Sequence, residues 1–306
     1  MSEPFTASAV FEFASLKAQG IALDWSRSRN FRLTVSGDGG IVIACLRDNT
    51  PRLAGANVDV YYLGKQETLR FQFSAQPWTG VAPIVQPLSP KLWLSVNPNP
   101  GYDLDVPNAS VISSVGTAVG AFRVGRGVRD VQTTPSGQVW VSYQDDGIFS
   151  EDTLSKSGLA CFSATGECLF QHNGRLAGDA FDYIVDCYAL NVASDTETWI
   201  HYTAEQPRLL KRIDEMRVSQ RWVLPQGPHR IAAFAVNATD SLLAIASRPQ
   251  TPMSLEFLRL DGMSYQSVFP LDAYGKAILA RRAFARSSRM YLMDSLFIYE
   301  IDLKVH

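Results

Sequence analysis

Short runs in which apolar and polar residues alternate cover most of the chain of 306 residues, and clusters of glycine and polar residues separate these runs. Alternation with a period of two is the pattern of a β-strand that buries one face. The segment RDVQTTPSGQVWVSYQDDGIF at 129–149 shows the unit: a strand, a turn marked by glycine, and a second strand centred on Trp140. The pattern predicts a chain built from β-hairpins.

This hairpin recurs along the chain with an aromatic or aliphatic residue inside its second strand, which we call the anchor. The anchors follow one another at intervals of 44 to 59 residues and are Val42, Trp93, Trp140, Trp199, Leu243 and Tyr291. A further hairpin usually follows each anchor, as at the Asp261–Gly262 turn signal. Two hairpins in about 50 residues are typical of a four-stranded propeller blade. We therefore predict an all-β, six-bladed β-propeller with residues 1–306 forming a single domain.

The two ends of the chain complement each other in this arrangement. After Tyr291 only LFIYEIDL can form a strand, so the last blade lacks its fourth strand. The segment ASAVFEFA, before the first anchor, is a spare strand. Because open sheet edges must be protected, we predict that this N-terminal strand joins the last blade and closes the ring.

One segment allows a second interpretation. KAILARRAFARSSRMYLMD, at 276–294, is rich in Ala, Leu and Arg, and by intrinsic propensity it favours a helix. A β-domain with a C-terminal helix would then result. The repeat places the first two strands of the sixth blade in this segment, and we prefer strands because tertiary context overrides propensity.

Composition narrows the class of protein. Apolar residues make up 46% of the chain, which is enough to form a large core. The 28 basic and 30 acidic side chains give a net charge of −2, so no nucleic acid partner is predicted. The N-terminus lacks the basic and apolar regions of a secretory signal, and no run approaches the ~18 apolar residues of a membrane span. The four cysteines form no CxxC pair and read as free thiols. We expect a cytoplasmic protein with no membrane partner.

The repeated strand, glycine turn and tryptophan, together with the hairpin GLACFSATGECLF, resemble six-bladed propellers of the NHL and gluconolactonase-like kind. The segment GVRDVQTTPSGQVWVSYQDDGIF resembles uncharacterised bacterial propeller-like proteins in particular. The resemblance implies a fold and no settled activity.

In a propeller, the first strand of each blade lines the central channel. The loops that enter this strand, and those between the second and third strands, form one face where ligands usually bind. The residues that this rule selects as ligand- or partner-binding are Asp130, Asp186, Arg230, His229, Asp145, Asp146, Glu205 and Arg248. The same rule adds Asp48, Asn97, Lys276 and Asp294. Carboxylates on one side and bases on the other could orient a polar ligand or a charged partner loop.

Structural interpretations stand beside the functional ones. Asp130, with its neighbour Arg129, could pair with an adjacent blade, and Asp145–Asp146 could be a solvated turn. The carboxylates Asp145, Asp146, Glu151 and Asp152 could together hold a cation such as Ca²⁺. Their spacing matches no known calcium loop, so we prefer that they face water, and no metal ligand is predicted. His201 shares a strand face with Trp199 and reads as a framework histidine. No HxxxH pair, nucleophile elbow or phosphate-binding loop occurs, and no cofactor is predicted.

Two functions fit this sequence. The first is a non-enzymatic cytoplasmic propeller that binds a protein partner or a polar ligand at the channel mouth, with an inhibitor or immunity-type protein as one form of it. The second is a metal-dependent hydrolase of the lactonase type, because such propellers hold a divalent metal in the channel with Glu, Asn and Asp side chains. Asp130, Asp186, Asn97 and Asp294 could supply some of these ligands, although no motif matches the metal set. Whether the protein is an enzyme is left open by the sequence.

Overall fold

The computed structural model describes residues 6–18, 30–47, 56–65, 67–75, 81–100, 103–172, 183–204, 208–225, 231–247 and 253–304. The described chain forms six antiparallel sheets of four strands each. Five sheets use four strands that are consecutive in sequence, and the sixth combines three C-terminal strands with one N-terminal strand. The prediction of a six-bladed, all-β propeller is confirmed.

The chain begins with β1 (Ser8–Glu12) and a short helix α1 (Phe13–Ala18). Blade one contains β2 (Phe31–Val35), β3 (Ile41–Leu46), β4 (Ala56–Leu63) and β5 (Thr68–Ala75). Blade two contains β6 (Ile84–Ser89), β7 (Leu92–Val96), β8 (Ala109–Ser113) and β9 (Ala118–Phe122). Blade three contains β10 (Val128–Thr133), β11 (Val139–Tyr143), β12 (Leu159–Phe162) and β13 (Cys168–Gln171), with a helix α2 (Asp145–Ile148) and a 3₁₀ turn (Ser155–Ser157) between β11 and β12.

Blade four contains β14 (Asp186–Val192), β15 (Glu197–Thr203), β16 (Leu209–Asp214) and β17 (Arg217–Val223). Blade five contains β18 (Ile231–Asn237), β19 (Leu242–Ser247), β20 (Leu255–Arg259) and β21 (Ser264–Val268). Blade six contains β22 (Arg282–Arg286), β23 (Arg289–Met293) and β24 (Phe297–Asp302). The segment for which helix and strand competed therefore forms strands, as the repeat predicted.

The N-terminal strand closes the ring. β1 pairs antiparallel with β24, from Ser8 opposite Glu300 to Glu12 opposite Phe297, and becomes the outer strand of blade six. The first strands of adjacent blades pack against each other all the way round, in the order β2, β6, β10, β14, β18, β22 and back to β2. The predicted closure is confirmed, and it leaves no first strand without two neighbours.

The anchors lie in the second strand of their blades and are buried, as predicted, with at most 2% of any anchor exposed. Their side chains fill the space between neighbouring sheets. The ring of Trp93 in blade two, for example, lies 5.4 Å from the ring of Tyr62 and 5.0 Å from that of Phe71, both in blade one. Both faces of each sheet are covered by a neighbouring blade, which explains why the inner strands read as nearly continuous apolar runs.

A turn of one type recurs in the hairpins. It occurs at Ser36–Gly40, Ser113–Thr117, Thr134–Gln138, Ser163–Glu167 and Asp272–Lys276, and in each case the first residue donates its N–H to the carbonyl oxygen of the fifth. The fourth residue is a glycine with φ between 77° and 90°, a conformation that a side chain disfavours. The hairpin within GLACFSATGECLF is one of these turns.

In the part of the chain that the structure describes, no helix has the length and apolar character to cross a membrane. The four cysteine thiols are free. In the hairpin that contains two of them, Cys161 lies opposite Phe170 and Cys168 lies opposite Phe162, so the two cysteines do not face each other.

Candidate binding site in the central channel

A cavity of about 540 Å³ lies in the central channel. All six first strands line it, together with residues that follow the second strands, such as Asn99, Gln144 and Met253. Antiparallel pairing brings the ends of second strands to the same face as the starts of first strands. The mouth therefore lies on the face that the repeat pattern predicted.

Hydrogen bonds between side chains and backbone connect the blades at the inner side of the cavity. Gln132 of blade three donates from Nε2 to the Leu190 carbonyl oxygen of blade four at 2.9 Å. Its Oε1 accepts from Nη1 of Arg286, a buried side chain of blade six, at 3.1 Å. Asn191 of blade four donates to the Phe234 carbonyl of blade five and to the Ser287 carbonyl of blade six, both at 2.9 Å. The cavity thus has a polar, hydrogen-bonded floor.

Four arginines line the cavity, namely Arg32 of β2, Arg129 of β10, and Arg281 and Arg282 at the start of β22. Among the described lining residues Asp130 is the only carboxylate. Within the described chain, neither Arg32 nor Arg282 lies in a salt bridge. The described lining of the cavity therefore carries an excess of positive charge.

Burial shapes the ionisation of these arginines. Burial lowers the pKa of Arg32, the Asp130 charge raises it, and the charges of Arg282 and Arg129 lower it further. Burial also lowers the pKa of Arg282, whose guanidinium lies 5.1 Å from the centre of the Phe31 ring. Cations whose pKa is lowered by burial and by one another are stabilised by an anion between them.

Asp130 lies where β10 bulges between Val128 and Asp130, and its side chain is half-buried. Its Oδ1 accepts the Val131 N–H at 2.8 Å, and its Oδ2 accepts from Gln132 Nε2 at 3.3 Å. Burial raises the pKa of Asp130 to about 6, an effect that these two hydrogen bonds and the charges of Arg32 and Arg286 partly offset. The group therefore titrates close to neutral pH in a cavity, which is a feature of functional sites.

Asp186, at the start of β14, fixes the neighbouring arginine. Its two carboxylate oxygens lie 3.2 and 3.3 Å from Arg129 Nη2. The same guanidinium keeps a buried Nε that has no hydrogen-bond partner among the described residues. Burial raises the pKa of Asp186, whereas Arg129 lowers it. The structure thus brings Asp186 and Arg129 together as a link between blades, with Asp130 beside them on β10.

The paired carboxylates Asp145 and Asp146 form the exposed first turn of α2. The Asp146 N–H donates to Asp145 Oδ1 at 2.9 Å, and the Asp145 charge contributes to the raised pKa of Asp186. They do not assemble with the two downstream carboxylates, because Glu151 is 95% exposed and Asp152 is buried against Arg123. The pair is a solvated helix start at the rim of the mouth.

Five of the remaining predicted residues lie outside the described part of the chain, and their assignment stays a prediction. They are Arg230, His229, Glu205, Arg248 and Asp48. Lys276 was placed wrongly at the start of a first strand, because it is exposed in the turn before β22 and Arg281 and Arg282 occupy that place. His201 is a buried framework residue of β15, and burial lowers its pKa to about 3.

The side chains suggested for a lactonase-type metal do not converge. Asp294 accepts the N–H groups of Leu296 and Phe297, both at 2.7 Å, in the turn that leads to β24. Asp186 is held by Arg129. Over the described ranges, no group of three or more His, Cys, Asp or Glu side chains has an arrangement that could hold a metal ion. Of the four suggested side chains only Asp130 lines the cavity, so the four do not form a metal site together.

The cavity arginines Arg32 and Arg282 were missed, although the sequence contained a signal. Arg32 pairs with Ala44, Asp130 with Ser142, and Arg282 with Met293, and each partner lies two residues after its anchor. The three charged residues therefore occupy one equivalent position in blades one, three and six. Alignment on the anchors, applied to every blade and to both signs of charge, would have found them.

One family model and two solved structures are similar to this chain. The model of the YxzG family matches residues 159–301, a little under half of the chain, which run from the start of β12 almost to the end of β24. The hydrazine synthase of Kuenenia stuttgartiensis is similar with a TM-score of 0.53 and 12% identity, over 90% of this chain and 76% of that one. The complex of KlAtg21 with the coiled coil of AgAtg16 is similar with a TM-score of 0.52 and 11% identity, over 89% and 81%. No curated protein matches the sequence.

At these identities the similar structures show a β-propeller and nothing about activity. The propeller is typically a scaffold for protein interactions, and one fold serves many functions. The finer resemblance to NHL and gluconolactonase-like propellers is not confirmed by these matches.

Proposed function

We propose that this protein is a non-enzymatic, cytoplasmic binding protein that takes an anionic group into the arginine-lined mouth of its channel. One observation carries the proposal: arginines from blades one, three and six surround a cavity in which Asp130 is the only carboxylate among the described lining residues. A planar guanidinium binds carboxylate or phosphate through two parallel hydrogen bonds, which makes arginine the preferred residue for such groups. A volume of about 540 Å³ suits a small ligand or one side chain cluster of a partner.

The anionic group could belong to a polar small molecule or to an acidic segment of a protein partner, since both present the same chemistry. An inhibitor or immunity-type protein would be the second case. Nucleic acid and membrane are not part of the proposal, because the chain as a whole carries a net charge of −2 and the charge excess argued here lies in a cavity of limited volume. A lactonase-type hydrolase is not carried forward, since its metal ligands do not converge.

Titration calorimetry on the purified protein tests the proposal with three probes: inorganic phosphate, succinate and a hexaglutamate peptide. We expect at least one probe to bind at low ionic strength. Arg32→Gln and Arg282→Gln should each weaken it about 10- to 100-fold, the usual loss when a hydrogen bond to a charged group is removed. The matched control is Arg217→Gln, which removes the same charge from an exposed position on β17.

The outcomes separate the sources of the anion. Binding of phosphate or succinate supports a small ligand, whereas binding of the peptide alone supports a protein partner. If none of the three probes binds, or if Arg217→Gln weakens binding as much as the two cavity variants do, the proposal is wrong.

A further inference from the structure

The cavity contains an acceptor as well as cations. Asp130 and Arg32 line the same cavity, and the charge of each acts on the other. A carboxylate is unfavourable in a site that binds only an anion, because the two negative charges repel each other strongly where little water is present. The carboxylate of Asp130 is therefore explained either by hydrogen bonds within the protein or by a ligand that donates to it.

The hydrogen bonds within the described protein satisfy the Asp130 carboxylate only in part. In Asp130, Oδ1 has one firm partner, the N–H of the next residue. The partner of Oδ2 is Gln132 Nε2 at 3.3 Å, and this amide also donates to the Leu190 carbonyl at 2.9 Å and to the Ala285 carbonyl at 3.4 Å. An amide nitrogen has two hydrogens to give to these three acceptors, and Leu190 has the shortest contact. Oδ2 thus keeps most of its capacity to accept.

The neighbouring charges explain why no described residue uses this capacity. Asp130 forms no ion pair within 4 Å among the described residues, although Arg129 is its neighbour in sequence. Arg129 is instead directed to Asp186 on the next blade. A half-buried carboxylate beside a cavity, with an oxygen that accepts only one long hydrogen bond, is suited to receive a donor from outside.

We propose that the ligand of this cavity is a small molecule that carries a hydroxyl or ammonium donor beside its anionic group, and that Asp130 accepts this donor while Arg32 and Arg282 bind the anion. The inference rests on the proposed function and specifies the ligand class within it. The two parts of the ligand are bound by opposite charges on different blades, so the cavity would fix its orientation as well as its position.

Three acids with one carbon skeleton test this inference. Succinate carries the anionic groups alone, malate adds a hydroxyl group, and aspartate adds an ammonium group. For the wild-type protein we expect malate or aspartate to bind about 10-fold or more tightly than succinate, which is the usual effect of one hydrogen bond to a charged acceptor. In Asp130→Asn this preference should disappear, and succinate should bind at least as tightly as before because a negative charge has been removed.

The pH dependence gives a second readout. The charges that act on Asp130 are those of Arg32 and Arg286, whose guanidinium groups stay protonated between pH 5 and 8. The nearby ion pair of Arg129 with Asp186 is the same in the wild type and in Asp130→Asn. Cys187 on β14 stays neutral, since burial raises its pKa to about 12. The preference for malate or aspartate should therefore decline as the pH falls below about 6.

The experiment distinguishes failure of the inference from failure of the proposed function. If wild-type protein binds succinate, and binds malate and aspartate no more tightly, the ligand class is wrong and the anion site stands. The inference is also wrong if Asp130→Asn keeps the full preference of the wild type. If none of the three acids nor phosphate nor the glutamate peptide binds, the anion site itself fails. Circular dichroism of Asp130→Asn confirms that the variant is folded before it is used.

Discussion

Replacing Asp130 by asparagine should stabilise the protein at neutral pH. The carboxyl group has a pKa of about 6 in the folded chain against an ordinary value of 3.8, and burial is the main cause. A raised carboxyl pKa means that folding opposes ionisation, so the folded state loses stability as the pH rises from about 4 to about 6. Asparagine keeps the acceptor for the Val131 N–H and carries no charge.

The size of the effect follows from the two pKa values. Each pH unit of difference corresponds to about 1.4 kcal/mol, so the ionised group costs about 3 kcal/mol of unfolding free energy at pH 7. At pH 4.5 the cost is about 1 kcal/mol, because the carboxyl is largely protonated in the folded state and most of the unfolded chains are ionised. Asp130→Asn should recover most of each amount, and about 2 kcal/mol more at pH 7 than at pH 4.5.

Urea denaturation at the two pH values, followed by tryptophan fluorescence, measures this difference. The matched control is Asp261→Asn on the β20–β21 turn, where Arg259 lowers the pKa of an exposed carboxylate. Its effect should have the opposite sign, since it removes a group that favours the folded state when ionised. A variant Asp130→Asn that is destabilised at both pH values, or stabilised equally at both, would refute the assignment of a charged, poorly solvated Asp130.

Two further predictions concern the architecture. Gly116→Ala should lower the unfolding free energy by several kcal/mol in urea denaturation, because the added Cβ would overlap the carbonyl oxygen of Gln72 and the backbone is strained at φ +88°. The control Gly275→Ala, at φ +77° with no described atom within 4 Å, should lower it by only about 1–2 kcal/mol. Equal losses in the two variants would contradict the role of close packing at Gly116. Trp199→Phe should lower the melting temperature, measured by differential scanning fluorimetry, more than Trp140→Phe does. The indole N–H of Trp199 donates to the Glu197 carboxylate at 2.7 Å, whereas that of Trp140 has no described partner. The reverse order would show that the volume of the indole alone decides.

Much of the fold could be read from local pattern. The anchors predicted the second strand of every blade because each sheet is covered on both faces and requires a large apolar side chain at its centre. The segment 276–294 was ambiguous, since its Ala, Leu and Arg content favours a helix. It forms β22 and β23 because the sixth blade needs two strands there, and their pairing and burial outweigh a few tenths of a kcal/mol per residue of propensity.

The candidate site was predicted in part. Asp130 was found because its place in the repeat put it at the channel, and the structure shows it lining the cavity. Asp145 and Asp146 were prominent in the sequence, yet they form a solvated helix start. Arg32 and Arg282 were missed, because their shared position becomes visible only when blades far apart in sequence are aligned on their anchors.

Residue pattern alone thus specified the number of blades, the closure by the N-terminal strand and the face on which the mouth lies. These properties depend on periodicity, turn residues and edge protection, each of which is written within one or two hairpins. The tertiary structure decided which charges meet. Asp130 is held apart from Arg129 because Asp186 on the next blade binds that arginine, and the arginines of blades one and six approach it only when the ring is closed. Electrostatic interactions depend on distance in space, and a closed ring makes neighbours of residues that the chain keeps about 100 to 250 residues apart.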